Sequence, residues 1–389
     1  MNIKSLILGS AAALVAVSGA RAADAVIMAE PEPVEYVRVC DAYGAGFFYI
    51  PGTETCLQIS GYVWYQIGFN GYEAVPTAVP GDANGDGVIG AGETIIVDTS
   101  NDTPGYIGGR VGDGWLKTTR ARINFDARSD TEWGTLRAYA RIQASWGTPV
   151  DGPASFDQAY IQLGGLMLGY SESFFVDSKN GGPSNYGSHS WGGMYYGYQQ
   201  RHLIGYRFGG SQGFFGAIAL EDDTLAGEGY MPDIVGKIGV AQAWGAAWLV
   251  VGYDESRNAL GDDGFAVQAG AHINAGPPGS SLRLIGYYND SDNAYGPSSA
   301  LGVDPEWSVL ASYQYAFSPT LAVSVGGQYF SDLYFAGTDI STGLDAWGAE
   351  LSVVWTPVTN FEVRTELHYD EVDDLDGTFS GYLRFTRYF

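Results

Sequence analysis

The sequence predicts an all-β fold, a 16-stranded antiparallel transmembrane β-barrel with short periplasmic turns and long extracellular loops. Three observations lead there. Apolar and polar residues alternate with period two through many segments of ten or more residues, and successive side chains of a strand point to opposite faces. The connections alternate between tight turns, such as Ser318-Pro319-Thr320 and Val358-Thr359-Asn360, and long Gly/Asp-rich stretches, such as 290–305 and 332–343, the asymmetry of a barrel whose ends face different compartments. Trp and Tyr recur at segment ends, as at Trp115, Trp146, Trp244, Trp307, Trp347 and Trp355, where aromatic girdles mark the two membrane–water boundaries.

The first 22 residues read as a signal peptide: Lys4 supplies a positive start, Leu6 to Val17 a short apolar stretch, and Ala20-Arg21-Ala22 a cleavage pattern. That stretch is too short to cross a bilayer as a helix, which takes about 20 apolar residues. Residues 23–56 are expected to form a periplasmic N-terminal segment and residues 57–389 the barrel. The formal charge is −25, carried mostly by Asp set among Gly and Asn, as expected of loops between strands rather than of acidic helices. It opposes binding to nucleic acid.

The first strand shows the pattern plainly. From Leu57 to Phe69 the odd positions are mainly apolar and the even ones polar or mixed, and Phe265 to Ile273, Trp307 to Phe317 and Trp347 to Trp355 repeat it. Strand starts are expected near 57, 116, 135, 157, 166, 194, 214, 232, 246, 265, 281, 306, 321, 345, 361 and 378. A soluble β-sandwich would also alternate, but the recurring interfacial aromatics and the final strand, with Leu383, Phe385 and the terminal Phe389, favour the membrane barrel. A terminal aromatic of this kind implies the barrel-assembly machinery of the cell outer membrane as a partner, with lipid and lipopolysaccharide around the wall.

Strands two and three carry the most informative residues. Ala121, Ile123, Phe125 and Ala127 share one face, and Arg120, Arg122, Asn124, Asp126 and Arg128 the other; next to them Arg137, Tyr139, Arg141 and Gln143 alternate with Leu136, Ala138, Ala140 and Ile142. An arginine facing lipid at mid-membrane costs about 2–4 kcal/mol, so these guanidinium groups are expected to line the lumen as a basic ladder, joined by Arg384 of the last strand. The alternative is that they only neutralise Asp126 and Glu362. Cys40 and Cys56 lie in an exported chain, where a disulfide is the default and a two-thiolate metal site lacks further ligands.

Two local patterns suggest further chemistry. Asp82, Asn84, Asp86, Val88 and Glu93 stand at the ligand positions of a twelve-residue calcium loop, with Gly87 at the sharp turn. A merely solvated acidic loop explains the same residues, and no cofactor is required by any other part of the chain. Glu221-Asp222-Asp223 and Asp373, Asp374 and Asp376 read as a solvated acidic rim, which predicts a modest cation preference. Gly209-Gly210-Ser211-Gln212-Gly213 matches a hydrolase nucleophile motif but lies between two expected strands, whereas a nucleophile elbow needs a strand followed by a helix. His189, His202, His272 and His368 show no metal spacing. An enzyme is therefore not expected.

The segment from Val34-Glu35-Tyr36-Val37-Arg38-Val39-Cys40 through Phe47-Phe48-Tyr49-Ile50-Pro51 to Cys56 resembles the N-terminal hallmark of the porins of alphaproteobacteria, the family found in rhizobia and their relatives. Glu132-Trp133-Gly134-Thr135-Leu136-Arg137, Ala159 to Gly165, and Arg384 to Phe389 are similar to the same family, so the resemblance spans nearly the whole chain. It implies a homotrimer, passive diffusion of small hydrophilic solutes, and a third long loop folded into the lumen. Glu172 and Asp177 follow the fifth strand, where that loop begins, and are expected to face the arginines and set a transverse field across a constriction. The competing reading is a solute-specific channel, for example a sugar-selective one, for which Tyr62, Trp64 and Tyr139 on inward faces would be the aromatic contacts.

Overall fold

The computed structural model describes residues 38–70, 76–80, 94–98, 115–147, 152–176, 187–222, 230–256, 262–375 and 377–389. The expected signal peptide, the calcium-like positions Asp82, Asn84, Asp86, Val88 and Glu93, and Asp177 lie outside them. In chain order the strands are β1 (Phe48–Tyr49), β2 (Cys56–Asn70), β3 (Pro76–Pro80), β4 (Thr94–Asp98), β5 (Leu116–Thr131), β6 (Gly134–Gly147), β7 (Gly152–Leu163), β8 (Leu166–Glu172), β9 (Gln200–Gly209) and β10 (Gly213–Glu221). They continue with β11 (Asp233–Gln242), β12 (Gly245–Asp254), β13 (Gly264–Asn274), β14 (Ser281–Asn289), β15 (Pro305–Ser318), β16 (Leu321–Leu333), β17 (Ala346–Val358), β18 (Phe361–Val372) and β19 (Thr378–Tyr388).

Sixteen of these, β2 and β5 to β19, form the antiparallel barrel wall, in which each strand pairs with the next wall strand along the chain, β2 with β5 included, and the short β1 adds to the same sheet by pairing with β2. β19 closes the barrel on β2, with Leu383 opposite Ile67 and Tyr388 opposite Tyr62. Closure leaves no edge strand, which is what allows a sheet to sit in lipid with every backbone group paired. β3 and β4 pair with each other as a separate hairpin, so strands rather than helices flank the calcium-like stretch in sequence.

Outward side chains are apolar and exposed: Ile123, Phe125, Ile204, Ile218, Val309 and Leu351 all stand on the surface. Trp115, Trp146, Trp307 and Trp347 ring the end that bears the long loops, and Trp133, Trp244 and Trp355 the end that bears the short turns. Burying such a band in water would be costly, and in lipid it is matched.

Two strand starts differ from expectation. β7 begins at Gly152 rather than near 157, because register shifts opposite Arg141–Ile142 and Gln143–Ser145 pass over Asp157 and over Pro153-Ala154 and disturb the alternation. β9 begins at Gln200 rather than near 194, because the tyrosines before it belong to an irregular segment with left-handed backbone at Met194 and Gly197. The Gly209–Gly213 motif is the tight turn between β9 and β10.

Candidate inner wall and constriction

The expected ladder forms on adjoining strands. β5 and β6 place Arg122 opposite Gln143, Asn124 opposite Arg141 and Arg128 opposite Arg137, and β2 brings Gln58 against Asp126 and Trp64 against Arg120. Arg128 and Arg137 are like charges placed directly across a strand pair, an unfavourable arrangement by itself. Asp126 resolves it, accepting two hydrogen bonds from Arg128 (2.9 and 2.8 Å) and two from Arg137 (2.9 and 2.7 Å). Further along, Asp157 lies 3.0 Å from Arg141 and 3.5 Å from Arg122. In this part of the wall the arginines thus have carboxylate partners on their own face.

Glu172 is not on the inward loop. It is the last residue of β8, accepts a hydrogen bond from Gln158 (3.1 Å), and stands 3.7 Å from Arg141 on the same wall. The arginine ladder thus carries its own acids, because β7 and β8 run beside β6 and their polar positions share its face.

β18 and β19 extend the polar wall with a group that alternation in β18 could have revealed. Glu362, Arg364, Glu366 and His368 all point inward, and Arg364 pairs with Glu362 (2.9 Å) and Glu366 (3.0 Å). Arg384 behaves differently. Its Nε and Nη2 both donate to the Gln66 amide oxygen (2.8 and 2.6 Å), and its guanidinium lies 4.6 Å from the Trp64 ring centroid and 4.5 Å from that of Tyr382.

Opposite this wall the lumen is filled rather than lined. The segment after β8 turns inward at Phe174, Phe175 and Val176, all essentially inaccessible, and packs on inward apolar residues of β9 to β15, among them Phe215, Val235, Val250, Ile285 and Leu310. Glu221, expected on a solvated rim, is instead fully buried beneath this packing and accepts the Phe174 N–H at 2.8 Å. Tyr295, from the loop between β14 and β15, packs its ring at a tilt against Phe175 with centroids 5.3 Å apart, and its hydroxyl donates to Asp233 (3.0 Å), which also pairs with the buried Arg201 at 3.2 Å. Asp373 and Asp374 stay exposed at the mouth, as expected.

The far part of the same loop, 187–199, is pinned along β14 to β18. His189 bridges Ser312 (Nδ1, 2.7 Å) and Ser281 (Nε2, 2.8 Å), the Trp191 N–H donates to Glu366 (2.7 Å), and Gln328 exchanges hydrogen bonds with the Tyr195 backbone. Burial, helped by Arg283 and His272 nearby, pushes the His189 imidazole down to about 3, so the ring is neutral where it is held. A recess of about 530 Å³ opens beside it, lined by His189, His272, Asn274, Ser281, Arg283 and Gln314. Among the described residues no group of histidines and acids has the arrangement of a metal site. The sequence pointed to this loop's position but not to His189 or Trp191, which carry no alternating context.

The Cys40–Cys56 pair is a disulfide. It fixes a small cluster with Phe47, on whose ring Arg128 lies at 5.0 Å, so the N-terminal segment supports the foot of the arginine wall.

The model of a family described as "Porin subfamily" matches residues 24–382. Porin Omp2b of Brucella suis biovar 1 (strain 1330) is 32% identical over 431 aligned residues, covering 100% of both chains. Among solved structures, the outer membrane channel DcaP of Acinetobacter baumannii superposes with a TM-score of 0.59 at 15% identity, over 88% of this chain and 99% of that one. The trimer form of OmpT from Vibrio cholerae superposes with a TM-score of 0.52 at 9% identity, over 87% of this chain and 100% of that one.

Proposed function

The chain belongs to the Porin subfamily, and from that premise we propose that its wall and inward loop make a general diffusion pore whose charged side is the arginine face. The protein is an outer-membrane porin, a channel rather than an enzyme. One observation carries the finer reading. The inward loop is packed on β9 to β15 by an apolar core, so the lumen that remains is bounded by the polar face of β18, β19, β2, β5 and β6. Arg122, Arg128 and Arg137 keep side-chain exposures of 16, 27 and 19%, so water reaches them.

A sugar-selective slide is disfavoured by the burial of its aromatics. Tyr62 and Trp64 are 5 and 4% exposed and lie beneath arginines instead of presenting ring faces to solute. The pore is proposed to assemble as a homotrimer, in contact with lipopolysaccharide, with acidic mouths giving a modest cation preference because they set the local ion concentration. The stretch 82–93 is proposed to bind Ca²⁺ weakly, at about 0.1–1 mM; calcium titration should slow proteolysis of that loop, and an unchanged rate refutes it.

Planar-bilayer recording tests the main reading. Current should rise linearly with salt and with voltage, and the reversal potential in a KCl gradient should lie on the cation side. Saturating, sugar-blocked current would establish the specific channel instead.

A further inference from the structure

Four buried polar atoms that have no hydrogen-bond partner fall on one patch of the polar wall: Tyr62 OH, Trp64 Nε1, Arg384 Nη1 and Thr386 Oγ1. The register explains the grouping. β19 and β2 pair Thr386 with Trp64 and Arg384 with Gln66, β2 and β5 pair Trp64 with Arg120, and Tyr62 lies two residues along the same face. All four side chains are at least nine-tenths buried. Native structures leave few buried donors unmet, because each loses its water and gains nothing. Four on neighbouring positions point to an acceptor that the chain itself does not supply.

The charge of the wall points to the same place. Arg122, Arg128, Arg137, Arg141 and Arg364 all lie within ion-pair distance of Asp126, Asp157, Glu172, Glu362 or Glu366. The other two arginines of the wall, Arg120 and Arg384, have no carboxylate at that distance among the described residues; Arg120 donates to Ser145 (2.9 Å) and Arg384 to Gln66. Both guanidinium groups flank one ring, 5.3 and 4.6 Å from the centroid of Trp64. The two arginines without an ion-paired carboxylate and the four unmet donors thus coincide. Water would satisfy the donors and leave the charge, whereas an anion satisfies both, and a carboxylate matches the fork of a guanidinium edge.

Trp191 covers the patch from the loop side. Its ring lies 4.7 Å from the Arg384 guanidinium and 6.0 Å from the Tyr62 ring, while its backbone N–H is held by Glu366. We infer that Tyr62, Trp64, Thr386 and Arg384 form a binding subsite for small carboxylate anions in transit, with the Trp191 indole as its cover. Rotation of that side chain exposes the donors while Glu366 keeps the backbone in place. This inference rests on the channel reading above.

Acetate added to the full-length protein in planar bilayers, in a KCl background, tests it. Acetate should lower the KCl conductance saturably, with half the effect at millimolar concentration. Trp64→Phe, which keeps an aromatic ring and removes the indole donor, should weaken the half-effect threefold or more. Arg384→Gln should abolish saturation, and Trp191→Leu should move the half-effect to lower acetate. Should Arg384→Gln fail the heat-shift check for a folded barrel, Trp64→Phe alone decides. An effect merely proportional to acetate, or a saturable one untouched by both substitutions, overturns the subsite while leaving the pore intact. A folded protein that conducts no KCl at all would overturn the channel reading beneath it.

Discussion

The two halves of the barrel interior are built by opposite rules from the same strand geometry. On β18, β19, β2, β5 and β6 the inward positions are Arg, Glu, Asp, Gln and Tyr, ion-paired and partly wetted. On β9 to β15 many are Phe, Val, Ile, Leu and Ala, fully buried against Phe174, Phe175 and Val176 of the inward loop. One half therefore behaves as the surface of an aqueous pore and the other as the core of a water-soluble domain. The difference shows how a barrel of this size narrows itself: the loop is docked by burying apolar area, with the charged contacts left to the opposite wall.

The largest expected effect comes from breaking the packed half. Phe174 is wholly buried, stacks under the Arg207 guanidinium at 3.9 Å, and sits so close to Gly205 that a Cβ there would meet its ring at 2.6 Å. Phe174→Ala should cost the docked loop about 3–5 kcal/mol. Hydrogen exchange of the 187–199 amides should speed up sharply, and single-channel current should become larger and noisier. A similar cost is not expected from Arg122, Arg128 or Arg137 of the opposite wall, where solvent can replace the lost contact.

On the polar side the comparable staple is covalent. Cys40 and Cys56 close a short loop, so Cys40→Ser with Cys56→Ser should lower stability by about 3 kcal/mol in the chain-entropy model. A urea midpoint lowered without any change in loop 187–199 exchange would show that the two halves are independent. Loss of protection in both would show that they unfold together.

The same contrast sets how much could be read from sequence. β2, β5 and β6 alternate cleanly because one face meets lipid and the other water, so their boundaries and the arginine face were legible. β10 and β12, with runs such as Phe214-Phe215-Gly216-Ala217-Ile218 and Trp248-Leu249-Val250-Val251, are apolar on both faces. Such a run signals burial on both sides, but alternation alone does not say what lies on the inner one. The pattern sets Glu172 one element too late because β8 ends on it, and it does not separate a rim acid from Glu221 because a loop carboxylate and a buried acceptor of the Phe174 N–H look alike in one dimension.

A pH change probes the docked loop at its far end. His189 titrates near 6.5 when free and at about 3 when held between Ser281 and Ser312, chiefly because burial disfavours its charged form. The released ring therefore binds a proton that the held ring refuses. Anchorage is complete above pH 6.5 and weakens as pH falls from there toward about 3, by at most about 1.4 kcal/mol per pH unit. The protection of the Ser188–Trp191 amides, taken relative to the intrinsic exchange rate at each pH, should fall between pH 7 and 4.5, and His189→Gln, which cannot charge, should flatten that fall. An unchanged slope in the variant would assign the acid response to other groups.

The smallest effect tests the wall's charge balance without disturbing its packing. Asp126→Asn removes the carboxylate shared by Arg128 and Arg137 while keeping a side chain of the same shape. The paired arginines then repel across β5 and β6 by a few tenths of a kcal/mol, since water reaches them. Their field reaches further into the pore, and the cation-to-anion permeability ratio should fall roughly twofold, a shift readable as a reversal potential in a KCl gradient. Because the hydrogen bonds of Asp126 go to Arg128 and Arg137, while loop 187–199 is anchored by Ser281, Ser312, Gln328 and Glu366, that loop should exchange as in the parent protein. A reversal potential that stays fixed would mean that the acidic mouths alone set selectivity and that the arginine face is electrically silent.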